Sequence, residues 1–90
     1  MKSDMTVEQD GEQYRDVRID FAPGDNFKQE VYTIRLSLDK EFGIISESDW
    51  TYVQGEGKPV IELANDPPQE VLDAYDAVKS KAEDLAEKDR

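Results

Sequence analysis

Residues 47–50 read ESDW, which places Glu47 and Asp49 directly before the only tryptophan, Trp50. Two carboxylates beside an aromatic ring are the residue types that cleave glycosidic bonds, one as acid with a raised pKa and one ionised. On an extended strand they share a face about 7 Å apart. The surrounding composition argues against that chemistry. Twenty-two acids in 90 residues bring carboxylates together by chance, and so small a chain offers little pocket around them. The chain has no histidine, the commonest general base, and no cysteine for a thiol nucleophile, a disulfide or a thiolate metal site. No enzyme activity is expected.

Metal and phosphate chemistry fare no better. Calcium needs several oxygens from one tight loop, and PGDN at 23–26 supplies too few. GEGK at 55–58 lacks the Lys-Ser/Thr pair that opens a helix after a phosphate loop. Both are ordinary turns, and no cofactor or metal is expected.

The charge balance is the informative feature. Against 22 acids stand 11 bases, a net charge of −11. Residues 1–49 hold 12 acids and 6 bases, residues 50–90 hold 10 and 5, so both halves are negative. A surface of this sign repels nucleic acid and anionic lipid and attracts basic partners at long range. A compact chain of this length is roughly 30 Å across. Duplex DNA carries roughly 18 charges over that distance, and the net charge here exceeds half of that. Adaptation to high salt is a competing account, but lysine is not depleted: there are 7 lysines and 4 arginines. No apolar run approaches the ~20 residues of a membrane span, and the N-terminus lacks the apolar core of a secretion signal. A cytoplasmic location is expected.

The elements that must carry these charges follow from periodicity. Residues 1–13 are polar, contain Gly11 and show no sustained period, which predicts a flexible tail ahead of one domain at 14–90. In YRDVRIDF, Val17, Ile19 and Phe21 alternate with Arg18 and Asp20, a half-buried strand closed by the turn formers APGDN. In EVYTIRLSL, Tyr32, Ile34, Leu36 and Leu38 share one face, and Gly43 breaks the chain after it. WTYVQ and PVIEL form two short strands around GEGK, with a helical turn capped at SESD as the alternative for 46–49.

From Pro67 a helix is expected, capped by Asp66 or Asn65 and boxed by Gln69. Its stripe is Val71, Tyr75, Val78, Ala82 and Leu85, widened by Leu72. That stripe packs on the sheet or, in part, on a second copy, since thin cores gain stability by dimerising. The expected fold is α+β: an antiparallel sheet of three to four strands and one C-terminal amphipathic helix.

On these elements the acids form rows. Asp73/Asp76 and Glu83/Glu87 lie three or four positions apart on the helix, about 5–6 Å, and Asp84 adjoins them. Like charges so close cost stability, so keeping them suggests a use. In size, charge, missing cysteine and the acidic helix EVLDAYDAVKSKAEDLAEK, the chain resembles the small acidic inhibitors that phages make against host DNA-binding proteins. The resemblance implies a DNA mimic occupying the basic DNA-binding face of a host protein, with Glu47, Asp49, Asp73, Asp76, Glu83, Asp84 and Glu87 as contacts. Evenly spread charge suits a target that grips the DNA backbone without reading sequence, such as a nucleoid protein of the HU type. The alternative is an acidic accessory domain that meets its partner through the apolar surface of Trp50, Tyr52 and Phe42, its charge serving solubility.

Overall fold

The computed structural model describes residues 1–54, 61–64 and 66–88, the side chains of 61 and 83–88 excepted. It comprises β1 (Lys2–Asp10), β2 (Tyr14–Ala22), β3 (Glu30–Asp39), β4 (Gly43–Glu47), β5 (Thr51–Gln54), β6 (Ile61–Leu63) and α1 (Gln69–Lys88). The strands form one antiparallel sheet in the order β1-β2-β3-β5-β6. β2 occupies one edge of β3, and the other edge is divided: β5 pairs with residues 30–33 and β4 with residues 36–39. The α+β class agrees with expectation, but the sheet has six strands where three to four were expected.

Alternation decides the two faces. Val17, Ile19 and Phe21 of β2 and Ile34, Leu36 and Leu38 of β3 are buried on one face. Val71, Tyr75 and Ala82 of α1 close over them, with Trp50, Tyr32, Ile44 and Val78 packed at the margin. Each fully buried aliphatic or aromatic side chain here contributes about 1.5–3 kcal/mol. The stripe on α1, described as far as Ala82, is thus spent on the chain's own sheet. The opposite face, with Asp16, Arg18, Asp20, Arg35 and Ser37, is not covered by the helix.

The two added strands share one explanation. β1, expected as a flexible tail, pairs with β2 along nearly its whole length. Its apolar content is thin (Val7 is 45% exposed), so no period marks it. Main-chain hydrogen bonds and ion pairs hold it instead: Glu8 with Arg18 and Arg35, Asp10 with Arg15 and Lys40. β4 is a five-residue strand with a bulge between its pairings to Ser37 and Leu38, too short and irregular to show alternation. Gly43 starts it with φ 89°, a conformation that suits glycine.

β5 and β6 pair as expected, Tyr52 opposite Glu62. Their GEGK connection lies outside the described residues, as does Asn65. α1 begins at Gln69, two residues later than expected: the carbonyl of Pro68 accepts from the amides of Val71 and Leu72, and Gln69 donates to Asp73 instead of boxing Asp66.

Candidate partner-binding surface

Four of the seven expected contact residues have described side chains. Asp73 and Asp76 are exposed on α1, and Asp49 is exposed in the connection between β4 and β5. Glu83, Asp84 and Glu87 lie on the last turns of α1, where side chains fall outside the described residues. Glu47 and Asp49 do not share a strand face, because β4 ends at Glu47.

Glu47 has a structural task. The bulge at Ile45 shifts the register by one residue, so Glu47 stands opposite Leu36 and not opposite Arg35. A one-residue slip exchanges faces, and the Glu47 carboxylate therefore meets the helix. Its Oε1 accepts from the Tyr75 hydroxyl at 2.6 Å and lies 2.6 Å from the Lys79 ammonium. Lys79 first and then Tyr75 hold the Glu47 carboxyl below the ordinary glutamate range. A carboxyl kept ionised is the opposite of a general acid. Glu47 is a clasp between sheet and helix, not the freely displayed charge expected of it.

Trp50 anchors this corner. Its ring lies 5.4 Å from that of Tyr75, edge to face, and 5.7 Å from that of Phe21. Ser48 fixes the connection: the Arg35 amide donates to its hydroxyl, and its own amide donates to the Arg35 carbonyl.

The charge is not evenly spread once the elements are placed. Residues 41–78, from the β3–β4 turn to the middle of α1, carry nine acids and one base, Lys58. Residues 1–40 carry nine acids and six bases, and residues 79–90 four of each. Pairing differs in degree: in residues 1–40 Asp4, Glu12, Asp16 and Glu30 form no ion pair among the described residues, but four other acids do. Asp10, Asp20, Asp25 and Glu8 all sit in ion pairs, and Asp10 and Asp25 are held below the ordinary aspartate range by Arg15 and by the N-terminal ammonium respectively. Among the described residues Asp49, Glu62, Asp66, Glu70, Asp73 and Asp76 form no ion pair.

Two concavities flank the sheet. One, of about 520 Å³, lies on the open face and includes Arg18, Asp20, Phe27 and Arg35. There Arg18 and Arg35 stand directly opposite each other on β2 and β3. Glu8, at a bulge in β1, bonds Arg35 at 2.9 Å and approaches Arg18 at 3.7 Å, while Asp20 bonds Arg18 at 3.1 Å. The other, of about 410 Å³, lies beside α1 and includes Glu47, Asp49, Trp50 and Tyr75. Among the described residues no group of three acids is arranged to hold a metal ion, and no helix is long and apolar enough to cross a membrane.

The molecule measures 41 × 24 × 21 Å, longer than a sphere of this mass. Over 41 Å duplex DNA carries roughly 24 charges, and one of its strands roughly 12. The net charge of −11 therefore matches one strand of the duplex and not both. Comparison with known protein families, with curated proteins and with solved structures finds no match to this chain.

Proposed function

We propose that the protein binds the DNA-contacting face of a basic protein and keeps DNA from it. The observation that carries this is the stretch from Glu41 to Val78, with nine acids to one base and six acids that form no ion pair among the described residues. Carboxylates left without cations are solvated, and a surface of lysines and arginines gains from meeting them as it gains from meeting phosphates. Asp49, Asp73 and Asp76 belong to this stretch, as does Glu47 at its contact with α1, and Glu83, Asp84 and Glu87 follow in the last turns of α1. A strand-like charge density supports a target that contacts one side of the duplex backbone. A nucleoid protein of the HU type is one such target.

A second reading has its own observation: Phe42, Ile45 and Leu63 are 77%, 54% and 66% exposed. An accessory domain would use such residues for an apolar contact.

One titration separates the two. The labelled protein is mixed with a purified HU-type nucleoid protein at low salt and challenged with short duplex DNA. Displacement by DNA, with affinity falling by on the order of tenfold or more between 50 and 200 mM salt, is the outcome expected of charge display. Binding that ignores both salt and DNA would overturn it in favour of the apolar surface.

A further inference from the structure

The cleft beside α1 combines two features that an acidic surface alone does not have. Its lining joins aromatic rings and carboxylates and exposes more polar than apolar surface: Trp50 and Tyr75 meet edge to face at 5.4 Å, with Leu63 and Pro67 beside them. Asp49 and Glu47 border it, the Glu47 carboxylate already held by Lys79 and Tyr75. Leu63 stays 66% exposed although it borders a buried aromatic cluster, and Asp49 forms no ion pair among the described residues. At about 410 Å³ the cleft accommodates a single long side chain and not a folded element.

An aromatic ring beside the Asp49 carboxylate suits an occupant with an alkyl stem and a cationic head. Arginine and lysine both qualify, but the walls discriminate between them. A guanidinium is planar, weakly hydrated and stacks on an aromatic face while its edge bonds a carboxylate. An ammonium is a compact and strongly hydrated charge that gives up more water to enter.

We infer that this cleft is the specificity pocket of the acidic surface and receives one arginine side chain of the partner protein, the guanidinium held by Trp50 and Asp49. The inference rests on the proposed function and sharpens it. The charged face draws in any basic surface, and the cleft favours one that presents an arginine at the right place.

The test uses Trp50, the single tryptophan, whose emission reports on this cleft alone. Tetra-arginine and tetra-lysine peptides are titrated into the protein at low salt, with total binding followed by calorimetry and the cleft by fluorescence. Tetra-arginine is expected to shift Trp50 emission saturably and to bind roughly threefold or more tighter than tetra-lysine. Asp49→Asn should weaken the arginine peptide about fivefold, whereas Asp76→Asn should weaken both peptides alike and leave the emission change intact. Equal affinities with unchanged emission would overturn the arginine pocket while the acidic surface keeps its proposed function. No binding of either peptide would overturn both. Displacement of tetra-arginine from Trp50 by tetramethylammonium at lower concentration would assign the cleft to a small onium ligand instead.

Discussion

The open face of the sheet and the helix side use the same residue type for opposite ends. On the open face three acids are matched: Glu8 bonds Arg35 and approaches Arg18, Asp20 bonds Arg18 and the Thr33 hydroxyl, and Asp16 accepts from Ser37. These contacts hold an edge strand that has few apolar side chains to hold it. On the helix side one acid, Glu47, is matched by Lys79 and Tyr75, and most of its neighbours are left to water. Acidity by itself therefore says little about use. Whether a cation stands opposite decides whether a carboxylate holds the fold or faces a partner.

The comparison breaks most visibly if the helix side is neutralised. Combining Glu47→Gln, Asp49→Asn, Asp73→Asn and Asp76→Asn should cost on the order of 100-fold in affinity for an HU-type protein, about 2.7 kcal/mol. Its far-ultraviolet dichroism should stay native, because three of the four acids lie outside any ion pair. A quadruple variant that kept its affinity would move the interface elsewhere.

The reciprocal change is Glu8→Gln with Asp20→Asn. It leaves Arg18 and Arg35 facing each other without an anion, and like charges opposite on neighbouring strands repel. Urea unfolding should show a loss of about 2 kcal/mol, with partner affinity preserved. Lost affinity at unchanged stability would make the open face the binding face.

Tyr75→Phe tests the clasp. The hydroxyl bonds Glu47 at 2.6 Å from a ring that is nearly buried, so its removal should lower stability by about 1 kcal/mol in the same urea assay.

The smallest effect is one of pH. The folded protein holds Glu47 below its unfolded pKa through Lys79 and Tyr75. The stability this contributes is present above the ordinary glutamate value, about 4.3, and is lost as pH falls through the lower folded value. Thermal melts from pH 6 to pH 3 should therefore fall less steeply for Glu47→Gln than for the unaltered chain. Parallel acid limbs would show that the clasp carries no linkage.

Much of the frame was legible in the sequence. Val17, Ile19 and Phe21, and Tyr32 through Leu38, alternate with period two, and both segments are strands with those residues toward the core. Val71, Tyr75, Val78 and Ala82 follow the helical period and pack on that core. What was not legible was held by contacts remote in sequence. β1 depends on partners in β2 and β3, such as Arg35, 27 residues from Glu8. The role of Glu47 depends on Tyr75, 28 residues away. The run of nine acids to one base in residues 41–78 is itself in the sequence, and the structure adds which of those acids meet a cation.

Sequence alone determined the periodicities, hence the identity of β2, β3 and the body of α1, and it determined the net negative charge. These are local or additive properties, set by each residue and its near neighbours. The tertiary structure decided which way the carboxylates face. In a strand that is a matter of register, and one bulged residue, Ile45, turns Glu47 from the arginine-bearing face to the helix. Register is fixed by pairing with a distant strand, and so no stretch of sequence around Glu47 contains it.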